Sequence, residues 1–284
     1  MTAPRVILPP SHATCRESGP FPIGTISKIS GVILSEARSA KSKDLLFCGP
    51  ATNPFRFNLK SLRMQLYAIT DRHQLPGSES DQRTALISLA RTWAQHNIDY
   101  IQIREKDLAL SDLLELTQQI VSAVRKENQT TRTLLNGPAQ IALESHADGV
   151  HFPSSVPSTA ASHARDLFAA TGRDAILSHS CHSLKEILKA KEESQRNPHA
   201  TTGNTLILYA PVFEKSITGK DLFPGRGLDA LRAVAEAARP IPVFAVGGVT
   251  TENAASCLTA GAAGIAAIRL FLADGWQKLR RILP

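Results

Sequence analysis

Cysteine is scarce in this sequence: the 284 residues hold four, at positions 15, 48, 181 and 257. No two of them form a CxxC pair, and their wide spacing matches neither a zinc site nor a disulfide framework. A chain without disulfides suits a reducing compartment. The sequence therefore predicts a cytoplasmic protein that holds no metal through cysteine.

Long apolar runs are missing as well. No stretch approaches the ~20 consecutive apolar residues that a membrane-spanning helix needs. The first thirty residues lack the apolar core of a signal peptide. We therefore expect no membrane partner.

The body of the chain lacks a strong charge of either sign. The formal net charge is +7, but residues 1–63 carry nine Lys or Arg against three Asp or Glu, whereas residues 64–284 carry 23 against 22. The basic excess thus belongs to the N-terminal segment rather than to the body. We expect no nucleic-acid partner.

Residues 1–63 lack a sustained helical or strand period and hold seven of the 17 prolines. Met64 stands immediately before the first clean strand pattern, where it offers a second start codon at a domain edge. We interpret residues 1–63 as a disordered or mis-annotated N-terminal extension, two alternatives that the mass of the natural protein distinguishes. Residues 64–284 are expected to form one domain.

Within that domain, buried strand patterns alternate with helical patterns. Eight strands are predicted, at residues 65–70, 100–104, 133–136, 149–152, 175–178, 205–210, 243–246 and 265–268. A helix or helical turn follows each strand, with Ser111 as the predicted N-cap of the second helix. Alternation of this kind implies a parallel sheet, and eight units in this length favour a single (β/α)8 TIM barrel. No glycine-rich dinucleotide-binding motif follows the first strand, which argues against an open sheet.

The carboxyl ends of the predicted strands carry cationic and imidazole side chains. Catalytic groups of a barrel lie at those ends, so we expect these residues to line one mouth. The full set of polar residues at those ends, in which cations and histidines predominate, is Asp71, Arg72, Gln102, Arg104, Lys106, Asn136, His151, His179, Ser180, His182, Glu214, Lys215, Lys220 and Arg269. A cationic mouth with imidazoles suits a phosphorylated small molecule.

Gln102, Arg104 and Lys106 alternate along the second strand, so they share one face while the strand geometry lasts. In a barrel that face is the interior, where cations without partners are costly. An anionic ligand explains the pair of cations. The alternative is a salt bridge to Glu105 or Asp71.

A Gly-Gly turn, Gly247-Gly248, ends the seventh strand and precedes a helix for which Thr250 or Thr251 is the predicted N-cap. Glycine has no Cβ, so its backbone N–H group can approach an anion closely. Loops after the last two strands of such barrels often hold a phosphate. We interpret the turn as a phosphate site, with a tight turn that needs glycine for backbone reasons as the alternative.

Six short motifs occur in the order seen in one protein family. They are Tyr67-Ala-Ile-Thr-Asp71, Gln102-Ile-Arg-Glu-Lys106, Asp148-Gly-Val-His151, Ser180-Cys-His-Ser183, Pro211-Val-Phe213 and Ala245-Val-Gly-Gly248. On these motifs, residues 64–284 resemble the thiamine phosphate synthase/TenI family, whereas residues 1–63 do not. The resemblance implies a (β/α)8 barrel with one of two activities. Synthases join a pyrimidine pyrophosphate to a thiazole phosphate with magnesium, and TenI-type tautomerases aromatise thiazole carboxylate phosphate without metal.

The sequence departs from the synthase pattern where that pattern holds magnesium. The Asn-Asp-Arg expected after the third strand reads Asn136-Gly-Pro138, and no Asp follows the fourth strand in Phe152-Pro-Ser-Ser-Val156. Gly and Pro side chains offer none of the oxygens that Mg²⁺ prefers. The Thr-x-Thr-Lys run expected after the sixth strand reads Glu214-Lys-Ser-Ile-Thr218. The resemblance therefore favours a tautomerase with no cofactor and no metal ligands. The alternatives are a synthase that uses magnesium and a barrel that binds thiamine phosphates without catalysis.

In the TenI-type pattern, His182 is the catalytic residue, since one imidazole can both remove and deliver a proton. Its alternative role is a structural position beside the start of the next helix. The phosphate is expected at Gly247, Gly248 and Arg269. The residues expected to bind the rest of the substrate are Gln102, Arg104, Lys106, Asn136, Ser180 and Lys215. The expected partner is a phosphorylated thiazole small molecule, and the sequence leaves a homo-oligomer open.

Overall fold

The structure is a computed structural model that describes residues 63–157, 159–196, 204–217 and 221–282. Side chains are not described for residues 215–217, 221–223 and 282. Apart from Arg63, the predicted N-terminal extension lies outside the described residues, as does Lys220. The side chain of Lys215 lies outside them too.

Eight parallel strands close into a barrel, which confirms the predicted fold. The strands of the chain are β1 (Gln65–Ile69), β2 (Tyr100–Ile103), β3 (Arg132–Leu135), β4 (Gly149–Phe152), β5 (Ile176–Cys181), β6 (Thr205–Tyr209), β7 (Lys215–Ile217), β8 (Asp221–Phe223), β9 (Val243–Val246) and β10 (Gly264–Ala267). All but β7 and β8 belong to the barrel, in chain order, and β10 closes it on β1 with Gln65 opposite Gly264.

Helices follow the strands as the alternating pattern predicts. They are α1 (Glu79–Gln95), α2 (Leu110–Glu127), α3 (Ala139–Glu144), α4 (Thr159–Ala169), α5 (Leu184–Arg196), α6 (Gly227–Ala238), α7 (Ala254–Thr259), α8 (Arg269–Leu272) and α9 (Gly275–Ile282). Among the described residues, none of these helices is both long enough and apolar enough to cross a membrane.

The predicted cap of the second helix is wrong. α2 begins at Leu110 with Ala109 as its N-cap, so Ser111 lies inside the first turn and caps nothing. α1 instead shows the expected cap chemistry. The Ser78 hydroxyl accepts a hydrogen bond from the Asp81 N–H, and the Asp81 carboxylate accepts one from the Ser78 N–H, which together satisfy two free donors of the first turn.

β7 and β8 form a separate antiparallel hairpin between β6 and α6. Sequence patterns did not predict it, because each strand has only three residues and alternation cannot be recognised over so short a run. The hairpin lies in the loop after β6, at the carboxyl end of the barrel. It therefore belongs to the set of loops that surround the mouth.

Alternation along the strands divides the apolar residues into two layers. Leu66 and Ala68 of β1 pack outward against the helices, in the larger cluster of buried residues. Tyr67 and Ile69 pack inward, in a cluster completed by Leu134, Leu206, Leu208, Phe244 and Ala266. A filled interior leaves the strand ends and their loops as the place for a ligand.

Candidate active site

Arg104 and Lys106 follow β2 at the carboxyl end of the barrel. Arg104 is half-buried and Lys106 is exposed, and neither forms an ion pair with any residue that the structure describes. The salt bridge to Glu105 that sequence reasoning left open is absent, because Glu105 turns away and pairs with Arg72 at 3.0 Å. Both cations therefore remain available to an anionic ligand.

Arg72 is the centre of a buried ionic cluster that sequence reasoning missed. Its side chain is 2% exposed and pairs with Glu105 and with Glu79, at 2.9 Å, and also with Asp107. This guanidinium holds the pKa of the Asp107 carboxyl well below its usual range. Arg72 was expected in the mouth, but the structure places it among these carboxylates, where it is not available to a ligand.

Thr70 couples that cluster to the mouth. Its hydroxyl donates to Glu105 Oε1 at 2.5 Å and accepts from the Arg104 N–H at 2.9 Å. The backbone of Arg104 is thus held by a buried hydroxyl that is itself held by a buried carboxylate. These hydrogen bonds join the ends of β1 and β2 and fix the backbone position from which the Arg104 side chain extends.

Gln102 lies deeper than its neighbours, inside the barrel and only 2% exposed. Its Oε1 accepts from the Tyr67 hydroxyl at 3.1 Å, and that hydroxyl also lies 3.2 Å from Ser178 Oγ. Burial raises the pKa of the Tyr67 phenol above its ordinary value. Gln102 therefore belongs to a polar network of the barrel interior as well as to the floor of the mouth.

His151 connects the interior to Ser180. Its Nδ1 lies 2.9 Å from Ser178 Oγ and its Nε2 lies 3.0 Å from Ser180 Oγ. Burial and, to a lesser extent, the nearby basic side chains lower the pKa of His151 to about 3. The imidazole is therefore neutral at physiological pH and serves as a hydrogen-bonding group rather than as a cation.

His182 directly follows β5, at the carboxyl end of the barrel. Its Nδ1 lies 2.7 Å from the carbonyl oxygen of Ala210, the residue that directly follows β6. A carbonyl oxygen only accepts, so Nδ1 carries a hydrogen, and in a neutral imidazole Nε2 is then the nitrogen that can accept a proton. The helix-start alternative involves its backbone instead, since the His182 N–H donates to Glu186. The side chain is not used by that cap.

His179 does not join the mouth. It alternates with Ser178 and Ser180 along β5, so it points outward, with its ring 5.5 Å from that of Phe152. Burial lowers the pKa of His179 to about 4. A cavity of about 90 Å³ adjoins His179, Ser180 and Cys181 on the outer side of the strands. His179 is therefore a packing residue of the outer layer.

The end of β3 bears on whether magnesium fits this site. Asn136 is half-buried and its N–H donates to the Ile103 carbonyl at 2.8 Å, and Gly137 and Pro138 then lead into α3. The described residues contain no group of three or more His, Cys, Asp or Glu side chains that could hold a metal ion. The nearby Glu105 carboxylate is already bound to Arg72. Gly137 and Pro138 therefore offer no side-chain oxygen to a magnesium ion at the end of β3.

Gly247 and Gly248 form a left-handed turn, with φ values of 88° and 65°. An added Cβ at Gly248 would lie 2.5 Å from the Glu214 carbonyl oxygen, so this position requires glycine for backbone reasons. The N–H groups of both glycines donate to no acceptor among the described residues. The turn thus combines the two interpretations: glycine is needed sterically, and two donors remain free for an anion.

Asn253 holds this turn in place, although sequence reasoning assigned the cap of the following helix to Thr250 or Thr251. Asn253 is the N-cap of α7. Its Oδ1 accepts from the Thr250 N–H at 2.8 Å and its Nδ2 donates to the Gly248 carbonyl at 3.0 Å. The helix begins at Ala254, so the N-cap position belongs to Asn253 and not to a threonine. The Thr250 hydroxyl nevertheless accepts from the Glu252 N–H at 3.2 Å in the turn that precedes the helix.

Arg269 is the first residue of α8 and is exposed. It forms no ion pair within the described part of the chain. Its side chain therefore does not fill the end of β10. Lys215 lies in β7, and its side chain is outside the described residues.

Tyr67 and Ser178 were not predicted as part of the site. A signal for them was present, because each is a polar residue at an inward position of a buried strand, where a hydroxyl needs a partner. The partners themselves could not be read from the sequence, since Tyr67 and Ser178 are 111 residues apart.

Comparison with known proteins identifies chains that are similar to this one over the barrel. The family model described as thiamine monophosphate synthase matches residues 66–271. The chain is 29% identical over 212 residues to a thiamine-phosphate synthase of Caldanaerobacter subterraneus, covering 74% of this chain and 87% of that protein. It is 30% identical over 208 residues to a thiamine-phosphate synthase of Methanocella arvoryzae, covering 73% and 86%.

Among solved structures, a thiamine phosphate pyrophosphorylase from Pyrococcus furiosus superposes with a TM-score of 0.59 and 24% identity. The match covers 78% of this chain and 96% of that chain. At this identity the superposition establishes the barrel fold alone. The family model, which spans well over half of the chain, establishes more: this chain belongs to the thiamine monophosphate synthase family, TMP-TENI.

Proposed function

We propose that this chain catalyses the metal-independent tautomerisation of thiazole carboxylate phosphate, with His182 moving the proton. The observation that carries the proposal is the hydrogen bond of 2.7 Å between His182 Nδ1 and the Ala210 carbonyl. It fixes the tautomer in which Nε2 is free to accept a proton. Aromatisation requires removal of a proton at one atom and its return at another, which one imidazole can perform.

The cations and the glycine turn account for the two anionic groups of this substrate. The free N–H groups of Gly247 and Gly248, together with Arg269, would bind the phosphate, since backbone donors and a guanidinium both suit a phosphate oxygen. Arg104 and Lys106 would face the carboxylate. Asn136, Ser180, Gln102 and Lys215 complete the proposed substrate-binding set, and the ligand class is a phosphorylated thiazole small molecule.

The hydrogen bond from His182 Nδ1 to the Ala210 carbonyl explains how one ring can both take up a proton and return it. When Nε2 takes the proton, the imidazolium keeps its Nδ1–H on the Ala210 carbonyl, which stabilises the added charge. The same Nε2–H can then be returned to the substrate. No residue has to enter the site between the two steps.

Replacing His182 by Ala tests the assignment. We expect turnover, followed by absorbance in the presence of a chelator, to fall by about 10²–10⁴-fold, the usual contribution of a general acid–base group. Phosphate-ligand binding should change little, because the glycine turn is untouched. His163→Ala, which removes an exposed imidazole of α4, is the matched control and should keep full activity. Unchanged turnover in His182→Ala would refute the role.

A thiamine-phosphate synthase is the second candidate, and the named relatives support it better than they support a tautomerase. It would join hydroxymethylpyrimidine pyrophosphate to a thiazole phosphate. Against it stand Gly137 and Pro138 after β3 and Pro153 after β4, which supply no magnesium ligand. Condensation that depends on added magnesium, with no tautomerase activity in chelator, would establish the synthase.

Binding without turnover in either assay would favour the third candidate, a non-catalytic barrel that binds thiamine phosphates. In all three cases we propose a cytoplasmic protein that acts on small molecules, with neither nucleic acid nor a membrane as partner. Light scattering of the purified protein would decide whether it forms a homo-oligomer.

A further inference from the structure

A continuous row of polar side chains runs through the barrel from one wall to the mouth. We call Gln102, Tyr67, Ser178, His151 and Ser180 the interior network. Successive members are 3.1, 3.2, 2.9 and 3.0 Å apart. The first four are buried, with exposed fractions of 4% or less, and Ser180 is half-buried at the mouth. Ser180 is therefore the member most accessible to a ligand at the mouth, and it is bonded to His151.

The hydrogens available to this network permit two arrangements. The Tyr67 hydroxyl carries one hydrogen but has two neighbours within reach, Gln102 Oε1 and Ser178 Oγ. Each serine hydroxyl also carries one hydrogen, and a neutral imidazole has one N–H donor and one acceptor nitrogen. Choosing the direction of one bond therefore fixes the direction of the others, as far as Ser180.

In the closed arrangement every hydrogen has an acceptor inside the protein. Tyr67 donates to Gln102, Ser178 donates to the Tyr67 oxygen, His151 Nδ1–H donates to Ser178, and Ser180 donates to His151 Nε2. In the open arrangement Tyr67 donates to Ser178, Ser178 donates to Nδ1, and Nε2–H donates to Ser180. The hydroxyl hydrogen of Ser180 is then free to donate to a ligand. Both arrangements contain the same hydrogens and differ in the tautomer of His151.

The mouth is suited to a ligand whose oxygens accept hydrogen bonds, and such a ligand stabilises the open arrangement. Arg104 and Lys106 have no carboxylate partner among the described residues, so they attract anionic oxygens, which only accept hydrogen bonds. Burial of Tyr67 and His151 keeps both neutral, because it raises the pKa of the phenol and lowers that of the imidazole. The network can therefore reverse its direction without gaining or losing a charge.

We propose that the interior network is a two-state positioning device in which neutral His151 changes tautomer when an anionic ligand binds, so that Ser180 turns from donating inward to donating to the ligand. His151 is thus a positioning residue that acts through Ser180. The inference rests on the proposed function only for the anionic nature of the ligand group that faces Arg104 and Lys106. In the closed arrangement the buried Gln102 Oε1 keeps the Tyr67 hydroxyl as its donor, whereas the open arrangement leaves that oxygen without it, so we expect the free protein to adopt the closed arrangement.

Nitrogen NMR of the full chain with ¹⁵N-labelled histidine tests this directly, because protonated and unprotonated ring nitrogens resonate far apart. The His151 signals are assigned as those lost in His151→Asn. We expect the Nδ1–H tautomer in the free protein and the Nε2–H tautomer when inorganic phosphate is raised until it occupies the mouth beside Arg104 and Lys106 as well as the glycine turn. Saturation is followed separately by line broadening of the phosphate ³¹P signal.

Tyr67→Phe removes the oxygen that accepts from Ser178 in the closed arrangement. We expect this variant to show the Nε2–H tautomer even without phosphate. Tyr100→Phe is the matched control, because Tyr100 stacks on Tyr67 with ring centroids 5.6 Å apart but is not a member of the network. It should behave as the unmodified protein does, and thermal melts of both variants verify folding.

Several results would overturn the proposal: an Nε2–H tautomer in the free protein, an unchanged tautomer at phosphate saturation, or absence of phosphate binding. The phosphate titration of the unmodified protein decides the matter even if Tyr67→Phe fails to fold. Turnover is not measured, so a chain that fails as a tautomerase can still show the exchange, and the two failures remain distinguishable.

Discussion

Gly248 occupies a position that a residue with a Cβ cannot take without displacing its neighbours. Its φ is +65°, and an added Cβ would lie 2.5 Å from the Glu214 carbonyl oxygen and 2.7 Å from Phe213 Cβ. The first of these contacts involves backbone, which cannot move aside as a flexible side chain would. The turn, whose two glycine N–H groups donate to no acceptor in the described part of the chain, thus requires glycine at position 248 for steric reasons.

We expect Gly248→Ala to lower the free energy of unfolding by more than about 2 kcal/mol, since backbone strain and a clash add together. Gly172→Ala is the control. Gly172 has a φ of +71° but no heavy atom within 4 Å of an added Cβ, so only the strain of about 1 kcal/mol is expected. Urea unfolding of both variants measures the difference, and equal losses would contradict the clash.

Two histidines make the stability of the barrel depend on pH. Burial lowers the pKa of His151 to about 3 and that of His179 to about 4, from 6.5 in the unfolded chain. Between these values the unfolded state binds more protons than the native state does. The free energy of unfolding therefore rises with pH in this window and levels off above about 6.5.

As the pH falls from 6.5 to 5.5, each histidine should reduce the free energy of unfolding by about 1 kcal/mol. Carboxylates are ionised in both states over this range and contribute little. Urea unfolding at three pH values measures the slope. His179→Gln should reduce the slope by about half, and an unchanged slope would show that His179 is not buried neutral.

At the scale of elements, the loops after β1 and β2 are held by a buried ion pair. Arg72 and Glu105 are 2% and 1% exposed at their side chains and lie 3.0 Å apart, and Thr70 links Glu105 to the backbone of Arg104. Removal of either partner would leave a charge without a counterion in a place that water hardly reaches. The cluster therefore holds in place the backbone that carries the cationic side chains of the mouth.

Arg72→Ala is expected to cost about 3–5 kcal/mol of the free energy of unfolding, as breaking buried ion pairs generally does. Arg91→Ala is the control, because Arg91 pairs with Glu127 at the surface with its side chain 60% exposed, and should cost about 1 kcal/mol or less. Denaturant unfolding followed by circular dichroism checks both. A small loss at Arg72 would mean that Glu105 finds another partner.

At the scale of the whole molecule, the barrel closes within residues 63–282. The closing ladder pairs β1 with β10, and Arg280 of α9 reaches back to Asp99 and to the Met64 carbonyl. Arg63 adds a further ion pair to Asp99 at 2.5 Å. First and last elements of the barrel are thus joined directly.

A chain that begins at Arg63 should therefore fold cooperatively and melt within a few degrees of the full-length chain. Thermal melts of the two chains, compared at equal concentration, test this. A barrel that fails to fold without residues 1–62, or that melts much earlier, would show that the N-terminal segment stabilises it and would contradict its interpretation as an extension.

Much of this architecture could be predicted from local pattern. The eight barrel strands, the Gly247-Gly248 turn and the position of His182 after β5 depend on residues close together in the chain, so alternation and motif order reveal them. Family membership follows from the same motifs and is confirmed. The short β7–β8 hairpin and the Asn253 cap were missed, because three-residue strands and competing cap residues carry little local signal.

The sequence by itself determined the fold, the family and the cationic character of the mouth, since each depends on which residues follow one another. Only the tertiary structure decided that Arg72 is buried with Glu105, that His179 faces outward, and that His182 Nδ1 is held by Ala210. These outcomes depend on partners that are distant in the chain: Arg72 and Glu105 are 33 residues apart, and His182 and Ala210 are 28 residues apart. Hydrogen bonds and ion pairs act over a few ångströms, and closure of the barrel brings such residues within that distance.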